Sequence, residues 1–426
     1  MQITVSLTVD VPATATFDLV EPMIIEEGRR AMVGAVRAVC REYEGVTAGC
    51  PHCQSPLLQS EGTERRVVLC HFGRVEIMVH RLRCEGCGVR FRPAEPFLAC
   101  LAGSNVTRTL REACVLAGTS WPYTTAAKVL HDLCGAQVSA ETVRQVTRTV
   151  GEAAVTEEMT AAHEALALPP REDEETTGPT SDQLLIGLDG GWVASRDQNG
   201  GMEGKVGVVA TKVDAIGHGR HRLSRRRYVA TFLTAQRVGE LTYAAAQKLG
   251  GVTAAEQIAL GDGADWIKRQ VVLHFPDAVG ILDWFHLERC VRRAIRTVRP
   301  GSLFRTERHA LYAIAFSALR QGDTPTALAA LRSLRPAPPL EPVAALEAAL
   351  TYLHNQRDWI GNYQHWHEAG YPIGSGMVER AVELVINRRM KRRGMRWLRA
   401  NADPLVALRV RTLNQDWDDA SQPRVA

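Results

Sequence analysis

Two Cys-x-x-Cys pairs, Cys50-Pro51-His52-Cys53 and Cys84-Glu85-Gly86-Cys87, constrain this chain more than any other feature. A Cys-x-x-Cys turn aims both thiolates at one point, so two such turns supply the four soft ligands of a tetrahedral structural Zn²⁺. Between them Val67-Val68-Leu69 and Val75-Glu76-Ile77-Met78-Val79 read as short strands, so residues 46–100 are expected to form a zinc ribbon. The competing readings are a redox dithiol, which would want one such motif near a βαβ pattern, and a disulfide pair, which would want an oxidising compartment. Cys40, Cys70, Cys100, Cys114, Cys134 and Cys290 are scattered and read as buried small hydrophobes, with His52 and His71 near enough to serve as substitute ligands.

A chain of 426 residues is more than one compact core usually holds, so several domains are expected. Its 45% hydrophobic and 23% charged residues exclude a wholly disordered or fibrous chain. No apolar run is long enough to span a bilayer and the N-terminus lacks the pattern of a signal peptide, so a soluble cytoplasmic protein without a membrane partner is expected. The net charge of +4 is too small to argue for a polyanion partner, and only the distribution of charge carries information.

Residues 1–45 open on Gln2-Ile3-Thr4-Val5-Ser6-Leu7-Thr8-Val9, which has the alternation of a half-buried strand, followed by a helical pattern from Pro22 to Tyr43. Residues 101–150 read as three helices. The second covers Thr124 to Leu133, a break at Gly135 follows, and the third starts at Ser139, whose hydroxyl can cap it, with Glu141 in the first turn. The last two have the shape of a helix-turn-helix in which Thr142, Arg144, Gln145 and Arg148 can reach base edges and phosphates. Any capped helical hairpin looks similar, but an upstream zinc ribbon strengthens the reading. Residues 151–182 begin with eight acidic side chains against Arg171 alone and are expected to be an acidic linker.

Beyond the linker the signals run strand, strand, strand, helix, strand, helix, strand between Leu184 and Leu282, an α/β order whose opening strands can pair as an antiparallel meander. Apolar runs there end at Asp189, Asp262 and Asp283. An Asp-Gly hairpin turn explains either of the first two alone. Three carboxylates at neighbouring strand ends would instead form the hard oxygen cluster that Mg²⁺ or Mn²⁺ needs. Downstream, Gly374-Ser375-Gly376 precedes a helix with Glu379 in its first turn and Glu383 one turn on, a placement that would also arise from simple complementation of a helix dipole. Between Arg380 and Arg411 ten basic residues face Glu383 and Asp403, among them Arg388, Arg389, Lys391, Arg392, Arg393 and Arg396. Arg220, Arg222, Arg225, Arg226 and Arg227 are expected in a loop between strands, and Arg289, Arg292, Arg293 and Arg296 on one helix face. Divalent-metal ligands ringed by phosphate-binding cations are what phosphodiester chemistry requires.

At Gly187-Leu188-Asp189-Gly190-Gly191, Gly261-Asp262-Gly263-Ala264-Asp265-Trp266-Ile267, Leu282-Asp283-Trp284-Phe285-His286-Leu287 and Gly374-Ser375-Gly376-Met377-Val378-Glu379, with Arg389-Met390-Lys391-Arg392-Arg393-Gly394-Met395-Arg396-Trp397, the chain resembles the DDE transposases of bacterial insertion sequences, in the ISKra-type group related to Mutator-like elements. The resemblance implies a multidomain α/β protein with an RNase H-like catalytic domain over residues 183–287 and 369–415, split by a helical insertion over 288–368. It implies that Asp189 on the first strand, Asp262 after the fourth and Glu379 on a late helix bind Mg²⁺ (or Mn²⁺), with Asp283 and His286 in an accessory Asp-x-x-His element. The implied partners are double-stranded DNA, as transposon ends and target, and a second copy or more of the chain on that DNA, in a bacterial, nucleoid-associated setting. A non-catalytic zinc-ribbon/helix-turn-helix regulator would have no use for the carboxylates, whereas an RNase H-like nuclease without strand transfer would use the same ligands.

Overall fold

The computed structural model describes residues 2–45, 49–101, 103–167, 182–215, 221–335 and 343–416. The chain divides into two compact units, Met1–Val150 and Gly151–Ala426.

In the first unit, helix α1 (Phe17–Gly45) is followed by β1 (Leu58–Cys70), β2 (Gly73–Cys84) and β3 (Arg90–Phe91), an antiparallel sheet in the order β1-β2-β3. The hairpin is longer than its sequence signals. Val68, Cys70, Val75, Ile77 and Val79 form a small core near the Cys70–Gly73 turn together with Cys40 of α1, Ala94, and Leu98 of α2 (Glu95–Leu98). Next come α3 (Arg108–Ser120), α4 (Tyr123–Cys134) and α5 (Ala140–Ala167), whose residues from Gly151 on belong to the second unit. Leu110, Cys114, Ala126, Leu130 and Val143 close a core among these three. Gly135 ends α4 at φ +75°, a left-handed cap that glycine takes without strain. Ser139 Oγ accepts the Thr142 N–H at 3.0 Å, the expected cap.

In the second unit, β4 (Gln183–Ala194), β5 (Gly201–Ala215) and β6 (His221–Thr231) form the expected antiparallel meander. Helix α6 (Ala235–Lys248) leads to β7 (Glu256–Gly261), and α7 (Asp265–His274) to β8 (Val279–Leu282). The sheet order is β6-β5-β4-β7-β8, with β7 parallel to β4 and β8 parallel to β7. Two hydrophobic cores flank it. Leu184, Ile186, Ile258 and Leu260 belong to one, with Val238 and Ile267 of the crossover helices. Val206 and Val208 belong to the other, with residues of the C-terminal helices. From the end of β8 the chain enters helices α8 (Trp284–Val298), α9 (Arg305–Arg320), α10 (Thr324–Arg332), α11 (Ala344–Gln356) and α12 (Tyr363–Glu368). Their buried Leu287, Val291, Ile295, Leu319, Leu331 and Leu353 continue the first core. Helix α13 (Gly376–Val382), a π-helical turn (Glu383–Asn387), α14 (Arg388–Met390) and α15 (Arg399–Asn414) then return to the second core.

Four expectations need correction. Gln2–Val9 joins no sheet among the described residues. Residues 151–167 are no linker but the second half of α5: Ala154 and Ala162 are buried, and Arg411 meets Glu157 at 2.9 Å and Glu158 at 3.6 Å. The acidic run thus has cationic partners from the far end of the chain; Glu172 to Glu175 lie outside the described residues. Asp189 does not end its strand, since β4 continues to Ala194 and Asp189 stands opposite Val206. The glycines around it serve packing rather than a turn: a Cβ on Gly187 would meet Met377 at 2.8 Å, and one on Gly191 would meet Val382 at 2.9 Å. They let the Glu379-bearing helix lie directly on β4. Finally, Arg222, Arg225, Arg226 and Arg227 are in strand β6 rather than a loop, with Arg227 paired to Asp416; Arg220 lies outside the described residues.

Candidate active site and cysteine cluster

The sheet brings together residues far apart in sequence. Asp189 lies within β4, Asp262 directly follows β7, Asp283 follows β8 and caps α8, His286 is in the first turn of α8, and Glu379 is in the first turn of α13. Asp189 and Asp262 are half-buried and Glu379 is exposed. Burial pushes the Asp189 carboxyl up to about 6; the negative charges of Asp262 and Glu379 add to this, while the Gly190 N–H and His286 oppose it. Asp189 Oδ1 accepts that Gly190 N–H at 2.7 Å, and Asp262 Oδ1 accepts the Ala264 N–H at 2.9 Å. No Lys or Arg is ion-paired to Asp189, Asp262 or Glu379 among the described residues. The ligand atoms of Asp189, Asp262 and Glu379 do not all lie within 4.8 Å of one another, so the structure shows neighbouring carboxylates without an ion-paired Lys or Arg rather than a closed ligand set.

The tightest set of ligand atoms is a different one: Asp283, His286 and Glu379 lie within 4.8 Å of one another. Asp283, however, is already engaged. It is fully buried, its Oδ1 accepts the His286 N–H at 2.9 Å, and its Oδ2 accepts the Ser375 N–H at 2.8 Å. Burial pushes this carboxyl up, but the hydrogen bonds from His286 and Ser375 outweigh it and hold it far below the usual carboxylate range. The adjoining Trp284 N–H donates to Ile373 O at 3.0 Å, so the segment 373–375 is fastened to the end of β8. Ser375 Oγ then donates to Glu379 Oε1 at 3.2 Å. Asp283 therefore orients the loop that delivers Glu379. His286, whose Nδ1 lies 3.4 Å from Asp283 Oδ2, has its pKa raised by that carboxylate.

The helical insertion supplies supports that sequence reasoning did not single out. Tyr352 Oη donates to Asp262 O at 2.9 Å, Gln356 Nε2 to Gly263 O at 2.8 Å, and Tyr363 Oη to Leu282 O at 2.8 Å. These residues stand in an Ala- and Leu-rich helical stretch with no motif of their own. Ser375 sits inside the Gly374-Ser375-Gly376 turn that the sequence marks, but its bridging role between Asp283 and Glu379 has no sequence signal.

Among the basic residues, Lys391, Arg392, Arg393 and Arg396 are exposed around the turn after α14, which is tied to the β4–β5 hairpin by Trp397 N–H donating to Ala194 O at 2.9 Å. Arg388 is exposed beside Glu383 at 3.7 Å. Arg389 departs from expectation: it is 1% exposed, with its guanidinium 5.1 Å from the Trp397 ring centre, so it shapes the turn rather than facing solvent. In α5, Gln145 and Arg148 are exposed, Thr142 is half-buried against Ser139, and Arg144 donates to Glu141 at 2.8 Å.

The four cysteines of the paired motifs lie close together, a grouping compatible with a zinc site. Cys50 Sγ is 3.6 Å from Cys87 Sγ, and Cys53 Sγ is 3.5 Å from Cys84 Sγ. The two turns match: Gln54 N–H donates to Cys50 O and Gly88 N–H to Cys84 O, and both donors have positive φ, +59° and +75°. Backbone N–H groups of Cys87 and Gly86, with the Cys53 thiol, draw the Cys84 thiol down, while burial and the neighbouring thiols push Cys87 up, as thiols sharing one site do. Neither His52 nor His71 joins this group among the described residues, and of the remaining cysteines Cys40, Cys70 and Cys114 are buried as expected, whereas Cys134 and Cys290 are half-buried and Cys100 is exposed. No described helix is long and apolar enough to cross a membrane. No protein-family model and no curated protein matches the sequence.

Proposed function

We propose that the chain is a DDE-type transposase that binds the ends of its own insertion sequence and catalyses Mg²⁺-dependent cleavage and strand transfer. The observation that carries this reading is that Asp189, Asp262 and Glu379, from the first and fourth strands of the second unit's sheet and a late helix, lie near enough for the charges of Asp262 and Glu379 to raise the Asp189 carboxyl, with no Lys or Arg paired to them among the described residues. The sheet order β6-β5-β4-β7-β8, interrupted by a helical insertion before α13, supports an RNase H-like reading of that unit. Divalent ions held by these carboxylates would supply the Lewis-acid charge for displacement at phosphorus. Within the chain, Asp283 positions Glu379 through Ser375, and its carboxylate raises the pKa of His286 beside the cluster. In the first unit, Cys50, Cys53, Cys84 and Cys87 would hold one Zn²⁺, and α4–α5 would read DNA, with Arg144 and Gln145 toward bases.

The test is cleavage of DNA carrying the inverted repeats that flank the coding sequence. Asp262→Asn and Glu379→Gln should abolish Mg²⁺-dependent cleavage and strand transfer while end binding stays near wild type. Asp283→Asn should retain measurable activity in Mn²⁺ and lose about 1–3 kcal/mol of stability, because an amide nitrogen would face a backbone N–H. A dead Asp283 variant beside an active Asp262 variant would exchange their roles, and active Glu379→Gln protein would overturn the transposase reading.

A further inference from the structure

Helix α8 leaves the carboxylate cluster with two faces of opposite character. Trp284, Leu287, Val291, Ala294 and Ile295 are buried in the core of the insertion. The other face carries Phe285, Arg289, Arg293 and Arg296, all exposed, and Phe285 is 68% exposed despite standing between Asp283 and His286. An open cleft of about 470 Å³ is lined by Phe285, Glu288, Arg289, Arg292, Arg293 and Arg296. A second, of about 360 Å³, shares Arg292 and Arg296 and adds Arg308, His309 and Tyr312 of α9.

The arginines are not equivalent. Arg292 is consumed within the fold: it pairs with Glu288 at 2.5 Å, and its guanidinium lies 4.8 Å from the Tyr312 ring centre and 4.9 Å from that of Phe316. That stack fixes the wall of the cleft. Arg289, Arg293 and Arg296 form no ion pair with a described carboxylate. They recur every three to four residues, so their row extends about 10 Å along the helix axis, long enough to meet more than one phosphate of a strand lying along it. Phe285 begins the row at the end nearest the carboxylates. One edge of its ring is backed by Gly374, where an added Cβ would stand 3.0 Å from it, so the ring is supported and still presents a face to solvent. A base within a duplex offers no face to such a ring, whereas an unpaired base does.

We infer that the α8 face binds a single DNA strand next to the scissile phosphodiester, with phosphates on Arg289, Arg293 and Arg296 and an unpaired base stacked on Phe285. This deepens the transposase reading by naming the form of the substrate at the cluster, and it rests on that reading only for the word scissile.

The experiment measures binding without chemistry. Full-length protein in EDTA is titrated into a labelled 15-nucleotide single strand and into the 15-base-pair duplex of the same sequence, at several NaCl concentrations. Arg289→Ala/Arg293→Ala should weaken single-strand binding at least tenfold and lower the salt slope by about 1.4, that is 0.7 for each phosphate no longer neutralised. Phe285→Ala should weaken single-strand binding about tenfold, leave the salt slope unchanged and leave duplex binding within twofold. Unchanged single-strand affinity in the double variant, or equal losses on both probes in Phe285→Ala, overturns the inference. The circular dichroism spectrum and melting temperature of each variant must match wild type; should Phe285→Ala melt early, Phe285→Leu keeps the bulk without the aromatic face and takes its place. A protein that cuts element ends yet binds single strands equally well in all forms sinks this inference alone, and one that binds as expected but never cuts sinks the transposase reading alone.

Discussion

Asp189 within β4 and Asp283 just after β8 are both aspartates of one sheet, yet their surroundings drive them in opposite directions. Asp189 is pushed up to about 6 by burial and by neighbouring carboxylates, whereas Asp283 is held far below the usual range by donors from His286 and Ser375. The sequence revealed both as chemically significant but not which was engaged, because the partners of Asp283 include a backbone N–H ninety-two residues away. The sign of the pH dependence separates them. A raised native pKa means that the folded state binds the proton more tightly than the unfolded chain, so the Asp189 contribution to unfolding free energy falls as pH rises from about 4 to 6. The depressed Asp283 contributes stability that is present above pH 4 and lost only in stronger acid. In EDTA, Asp189→Asn should therefore be more stable than wild type at pH 7 by roughly 2 kcal/mol, and the advantage should vanish near pH 4. Urea denaturation at the two pH values measures it, and a variant less stable than wild type at pH 7 would show that neither burial nor the neighbouring carboxylates penalise the Asp189 charge.

Among the elements, α5 and the β1–β2 hairpin show why some segments read correctly and others did not. The capped start of α5 was legible, because Ser139 and Glu141 act within one turn. Its second half was misread, because an acidic surface and an acidic interior differ only in what lies opposite. Burial pushes Glu158 up to about 7, against the pull of Arg411 and Arg237. Arg411 also donates to Ala154 O at 2.9 Å, and Arg237 to Val155 O at 3.1 Å. Arg411→Met should cost roughly 3 kcal/mol at pH 8, where Glu158 would be left charged without its main partner, and less at pH 5.5, where Glu158 is neutral. Equal losses at both pH values, measured by denaturant unfolding, would show that Glu158 takes no part. The hairpin was legible at both ends, but its length was not. The cysteine turns close one end while Val68, Val75, Ile77 and Val79 form a core near the other. Chelating the proposed zinc should therefore release amide protection around Leu82 to Phe91 and leave Val67–Cys70 and Val75–Val79 protected. Hydrogen exchange resolves the two, and uniform loss along the hairpin would mean that the metal folds the whole ribbon.

For the molecule as a whole, the helical run after Leu282 was foreshadowed by its Ala, Leu and Arg content, while the approach of Asp283, His286 and Glu379 to one another was not derivable from spacing. It depends on sheet order, which is set by long-range strand pairing that leaves little local trace. Charge follows the same rule. The cluster from Arg388 to Arg396 looked uniform in sequence, but Arg389 is buried while Lys391, Arg392, Arg393 and Arg396 are exposed. Exposed, flexible cations meet phosphates without regard to sequence, whereas side chains on the exposed face of a short-capped helix can meet base edges. Arg392→Ala/Arg393→Ala should thus weaken binding to element ends and to random duplex by similar factors, and lower the salt slope by about 0.9 for each phosphate no longer neutralised. Arg389→Ala should lower thermal stability, since removing a buried guanidinium leaves a cavity beside Trp397. By contrast, Gln145→Ala should leave random duplex binding nearly unchanged and reduce the preference for element ends, by about 1–3 kcal/mol if Gln145 makes a bidentate base contact. Competition binding with both duplexes at two salt concentrations reads all of these together. Loss of end preference in the Arg392/Arg393 variant, with none in Gln145→Ala, would move sequence reading from the first unit to the second.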